Sequence, residues 1–234
     1  MTRAAAQQQR PPAPPRTSAV PAAGTAPRRA LALIGVVGPL YYMVLVTVLG
    51  MVWNGYDPIR HTQSELGAVD TPYRLVMNLG GFMALGVCIL AFAAAYWLLL
   101  APSWAKPLAT GLLVLAGLGM VVVGSFPCDA GCVDVTVTGR LHSLFSMPGA
   151  IGLPAAAMVS ALVFRRDGCF GMAWQLVSFW LGLVTLLSGP LIAAELVGGV
   201  SGLVQRAAMW VPLVWMIVVS SKLYRLARPA TAHP

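Results

Sequence analysis

Residues 31–53 read LALIGVVGPLYYMVLVTVLGMVW, with no charged side chain anywhere in the run. A helix needs about 20 apolar residues to cross the hydrocarbon of a bilayer, so Leu31–Trp53 is long enough to span. In hydrocarbon every backbone amide must be bonded inside its own segment or within a closed barrel, and an apolar run without period-two alternation selects the helix. Five further segments read the same way: Tyr73–Leu100, Pro107–Phe126, Leu141–Phe164, Met172–Val197 and Ala207–Leu226. Composition agrees, since 58% of the 234 residues are hydrophobic and 9% charged, against roughly 25% charged in a soluble domain. The expected fold is an all-α membrane protein, a six-transmembrane-helix bundle over residues 31–226.

The flanks have a different composition. Residues 1–30 carry Gln7, Gln8, Gln9, the stretch Pro11–Pro15 and five arginines, too little apolar surface to offset the entropy of ordering. They read as a disordered, basic cytoplasmic tail, not a signal peptide, because the apolar run that follows is span-length and lacks a small-residue cleavage site. Residues 227–234 read as a second, short cytoplasmic tail.

Orientation follows from the cations. With the N-terminus inside, the inner segments hold Arg3, Arg10, Arg16, Arg28, Arg29, Lys106, Arg165, Arg166, Lys222, Arg225 and Arg228, and the outer ones only Arg60, Arg74, Arg140 and Arg206. That is the positive-inside bias, and it places both termini in the cytoplasm of a cell-membrane protein. The basic residues form no patch interleaved with aromatics, so nucleic acid is not an expected partner. The bilayer itself is.

Six of the seven acids then fall on the outer side: Asp57, Glu65 and Asp70 in the first loop, Asp129 and Asp134 in the second, and Glu195 near the outer end of the fifth helix. His61 and His142 share that face. In the first loop, Asp57 before Pro58 is placed to cap a short helix that puts His61, Ser64 and Glu65 on one side; the same residue types also serve as ordinary caps and turns. In the second loop, Cys128 and Cys132 lie on the oxidising side and read as a local disulfide. Zinc is the competing reading, but CxxxC is a loose signal and no HxxxH, HExxH or paired CxxC supports it. No metal or other cofactor is therefore assigned.

Gly55-Tyr56-Asp57-Pro58, Ser64-Glu65-Leu66-Gly67, Asn78, Phe126-Pro127-Cys128-Asp129 and Gly139-Arg140-Leu141-His142 together resemble the bacterial membrane proteins catalogued as domain of unknown function 998. The resemblance extends from Leu31 to about Leu226. It implies that the two outer loops build one site, with Arg140 bonded to Asp129 or Glu65 and His142 close by. It implies no activity.

The function expected is binding of a lipid or small apolar ligand in a polar pocket at the extracytoplasmic face, with Asp57, His61, Ser64, Asp129, Arg140 and Glu195 as its lining. A second reading makes the pocket an acid/base enzyme for a lipid or other apolar substrate, hydrolase-like or terpene-cyclase-like, with Glu65 and His142 moving the proton. A third is a transporter, immunity or assembly protein, for which Gly111, Gly117, Gly119 and Gly124 offer close-packing faces. There is no nucleotide-binding loop, dinucleotide fingerprint or GxSxG.

Overall fold

The computed structural model describes residues 25–193 and 199–228, and side chains within 25–188 and 199–228. Residues 1–24 of the expected 1–30 tail, and residues 229–234 of the expected 227–234 tail, lie outside it. Six main helices follow in order: α1 (Thr25–Val52), α2 (Val76–Leu99), α3 (Lys106–Val123), α4 (Val137–Arg166), α5 (Met172–Ala193) and α6 (Ser201–Leu226). All but α5 are long and apolar enough to cross a membrane, and α5 contributes the shorter apolar run Met172–Ser188. The chain is a multi-pass membrane protein with an all-helical fold.

Each helix packs on its neighbours in sequence, and α6 closes the ring against α1 while also touching α2 and α4. The centre is filled by Tyr42, Phe92, Tyr96, Phe164, Leu213 and Met216, all fully buried. Between helices the driving force is packing, because lipid is as apolar as leucine. The crossing of α2 and α3 shows it, since a Cβ on Gly86 would sit 2.6 Å from Gly117 O. At the end where α1 begins and α6 finishes, Arg29 donates to Tyr224 Oη at 2.7 Å. Asp167 ties that end together by accepting the amides of Ala101 at 2.8 Å and Cys169 at 3.0 Å.

Three helices begin earlier than hydropathy predicts. α1 starts at Thr25, inside the stretch read as tail. α4 starts at Val137, where Thr136 Oγ1 accepts the Gly139 amide at 3.1 Å and caps the first turn. α6 starts at Ser201, although Gln205 and Arg206 make its first turns too polar to register as a span. That polarity is absorbed by the first loop, which lies over the end of the helix.

The α6 N-terminus has free amides, as every helix N-terminus does, and the loop brings carbonyls to them: Gly202 N donates to Arg60 O at 3.2 Å and Leu203 N to Ile59 O at 2.9 Å. Ser201 Oγ adds a bond to Arg60 O at 2.6 Å. Arg206, only 9% exposed, reaches Pro58 O at 2.5 Å, His61 O at 2.9 Å and its own helix at Gly202 O, 3.1 Å away, with its second terminal nitrogen on the Tyr56 hydroxyl.

This contact has no slack. A Cβ on Gly202 would stand 2.2 Å from His61 O and 2.8 Å from Pro58 O, both backbone atoms with nowhere to go. Gly202→Ala should therefore cost about 1–3 kcal/mol by overpacking, and Arg206→Met about 3 kcal/mol by stranding the carbonyls that a buried charge now satisfies. Thermal unfolding in detergent measures both, and a melting temperature unchanged in either variant would contradict the docking described.

Candidate functional site

The loop-bearing end, where residues 53–75 and 124–136 gather, holds most of the residues singled out by sequence, but not as one cluster. The first loop does not form a continuous short helix. It makes a turn at Asp57, whose carboxylate accepts the Ile59 amide at 2.9 Å, and then a 3₁₀ turn over Ser64–Gly67. His61 is held at the first turn by the Asp57 amide, which donates to Nδ1 at 2.9 Å. Glu65 reaches back to accept the Thr62 amide at 2.7 Å and the Thr62 hydroxyl at 3.0 Å.

His61, Glu65 and Asp70 do share a surface recess of about 240 Å³ with Trp53, Tyr56 and Gly131. Burial raises the Tyr56 phenol above its usual pKa, against the lowering effect of the Arg206 charge. Among the described residues no group of three His, Cys, Asp or Glu side chains stands so as to hold a metal ion.

Asp129 does a different job. Its carboxylate collects the amides of Val135 at 3.0 Å and Thr136 at 2.7 Å, and the Thr136 hydroxyl at 2.7 Å, which fixes the chain entering α4. Gly139 is required beside it, because a Cβ there would lie 2.2 Å from Asp129 Oδ2. Arg140 is exposed, and the expected ion pair from Arg140 to Asp129 or Glu65 is not formed. The salt bridge found among the described residues joins Arg60 to Asp57 at 3.6 Å, on the surface.

Cys128 and Cys132 are joined by a disulfide, and Cys128 O accepts the Val69 amide at 3.0 Å. That bond stitches the second loop to the first. Glu195 lies outside the described residues.

Beneath the loops is a cavity of about 150 Å³. Its walls are apolar, with Leu85 and Ile89 of α2, Met120 of α3, Leu153 of α4 and Met209 and Leu213 of α6; its polar groups are Gln63, Ser64, Ser146, Thr185 and Gln205. Gln63 is almost fully buried. Its amide donates to Gln205 Oε1 at 2.7 Å, and its side-chain oxygen accepts Trp210 Nε1 at 2.9 Å. These bonds hold both glutamines at the cavity roof and leave the Gln205 side-chain nitrogen without a partner among the described residues. Ser146 and Thr185 donate back to the carbonyls of His142 and Leu181 on their own helices, which keeps their oxygens available as acceptors. Of the residues chosen from sequence, Ser64 lines this cavity, and among the described residues no other does. Hydropathy passed over Gln63 and Gln205 because isolated amides beside apolar runs carry no motif.

One wall is unusual. Val76–Met83, the first part of α2, is π-helical, a form that is rare and concentrated at functional sites. Asn78 sits within it and donates to Arg74 O at 2.8 Å and Gly67 O at 2.7 Å. The first bond takes the carbonyl that the Asn78 amide would use in an α-helix, a local competition that loosens the regular ladder. His142, on α4, is buried, with Nδ1 2.7 Å from Phe126 O and its ring against Phe82.

Comparison with known proteins adds one match. The family described as "Protein of unknown function (DUF998)" matches residues 36–222. No curated protein and no solved structure matches.

The Asp129 arrangement has a pH signature. The Thr136 amide, then the Thr136 hydroxyl, then the Val135 amide and the Arg140 charge hold its carboxyl below the ordinary aspartate value, against the opposing effect of burial. A carboxyl depressed in the folded state stabilises fully above its unfolded pKa and loses that contribution as pH falls through the lower folded value. The melting temperature in detergent should therefore fall below about pH 4, and Asp129→Asn should be less stable at neutral pH with a flatter acid limb. Parallel acid limbs in the two proteins would exclude this carboxylate as the cause.

Proposed function

Because the chain belongs to the DUF998 family, whose description carries no activity, we propose its function from the geometry: it binds the slender end of a lipid or other apolar small molecule in the cavity beneath the loops. The observation that carries this reading is the lining, apolar walls with unpaired hydrogen-bonding capacity confined to a few amides and hydroxyls. That is the pattern of a ligand site, in which shape and burial supply affinity and a few polar groups supply orientation. A cavity of about 150 Å³ holds a group the size of benzene. A lipid headgroup is too large for it, so a single chain or ring with a small polar tip is the part that enters.

Acid/base catalysis is less well supported. The Glu65 oxygen that is engaged caps its own turn, and the recess it shares with His61 is separate from the apolar cavity. The loop-bearing end faces outward in this proposal, which follows from the basic residues at the other end.

Two experiments test it. Ala208 lines the cavity, and Ala208→Phe should fill it; the wild-type protein purified in mild detergent should carry an apolar compound detectable by mass spectrometry after extraction, and the variant should lose most of it. Val44→Phe, on an exposed helix face, should keep it. Equal recovery from all three proteins would sink the cavity reading. For orientation, Cys169 is a free, exposed thiol at the basic end; a membrane-impermeant maleimide should label it only after the cells are opened, and labelling in intact cells would reverse the topology.

A further inference from the structure

Among the groups buried at the loop-bearing end, His142 has an atom with no counterpart. The residue is 4% exposed, and Nδ1 lies 2.7 Å from the Phe126 carbonyl oxygen. A carbonyl only accepts, so the bond requires the proton on Nδ1 and leaves Nε2 a bare lone pair, the tautomer being assigned from this partner. No described group donates to Nε2. Protein interiors rarely leave an acceptor in that state, and an orphan calls for a reason.

Its surroundings supply one. The Phe82 ring packs edge-on against the imidazole, with centroids 5.9 Å apart and planes at 65°, and Phe82 also lines the cavity. Ser146 lies one turn along α4, bonds to His142 O at 2.7 Å, and lines the same cavity. The imidazole therefore stands directly behind the cavity wall, screened by the ring of Phe82, a residue of the π-helical segment.

We propose that His142 Nε2 is the hydrogen-bond acceptor for the ligand's hydroxyl group, reached when the Phe82 side chain turns aside. This rests on the cavity being the ligand site and names the ligand class: a long-chain or ring alcohol. An ester, an ether or a carboxylate has no proton to give to Nε2. Gln205, whose side-chain nitrogen has no partner among the described residues, donates to the oxygen of the same hydroxyl, so both halves of the group are used.

The test uses the full chain in detergent, stripped of bound lipid, with 1-dodecanol and its methyl ether as probes that differ in the donor proton. Wild type should bind the alcohol about three- to tenfold more tightly than the ether, the advantage of one net hydrogen bond. In protein labelled with ¹⁵N-histidine, the alcohol alone should shift the His142 Nε2 resonance. His142→Phe should bind both probes equally, at the wild-type affinity for the ether, and Phe82→Ala should keep the preference for alcohol.

If wild type binds both probes without preference and the nitrogen resonance stays still, the assignment of His142 is wrong while the cavity remains a binding site. If neither probe binds, the cavity reading fails and this inference with it. The wild-type comparison and the resonance decide the matter even if His142→Phe does not fold.

Discussion

The loop-bearing end of this protein depends on one buried guanidinium. Arg206 sits buried in the protein, where a lone charge would be costly, and it is tolerated because peptide oxygens and a phenol surround it. Those acceptors belong mostly to the first loop, whose own turns leave the Pro58 and His61 carbonyls pointing at the arginine. Charge and loop stabilise each other: the arginine organises the carbonyls, and the carbonyls make a charged α6 terminus compatible with the membrane. From that clamp follow the placement of Gln63 over the cavity, the approach of Gly202 to the backbone and the seating of the second loop through Val69 and Cys128.

The helical architecture was legible because hydrophobic length is a strong signal in a lipid solvent. Each of the six segments lies within an observed helix or overlaps most of one, and the misjudged starts have a common cause. Hydropathy ends a span at the first charged or amide residue, so Arg206 and Gln205 placed the start of α6 too late. The start of α4 was placed too late for a similar reason, since Thr136 caps the helix at Val137 and its first turn runs through the polar sequence up to Arg140.

The polar site was less legible. Residue type identified Asp129, Arg140, Glu65 and His142, and opposite charges near helix ends suggested a salt-bridged cluster. The folded chain satisfies those acids with amides instead. Asp129 accepts from Val135 and Thr136, and Glu65 from Thr62, through backbone amides and the two threonine hydroxyls, donors that no sequence pattern marks. Arg140 is left at the surface. The cation buried at the loop-bearing end, Arg206, looked from sequence like an ordinary outer-loop charge, because its partners are carbonyls far away in the chain. Gln63 and Gln205 were invisible for the same reason: an amide announces a role only once its neighbours are known.

The contacts of Arg206 also impose an order on assembly. Pro58 and His61 are made early in synthesis, and the side chain that satisfies their carbonyls arrives 148 and 145 residues later. Until α6 enters the membrane, the first loop has no lock, the cavity has no roof and its α6 wall is missing. The last helix to be made is thus the one that completes this end: a chain that lacks α6 has neither the cation that gathers the Pro58 and His61 carbonyls nor the Met209 and Leu213 wall of the cavity.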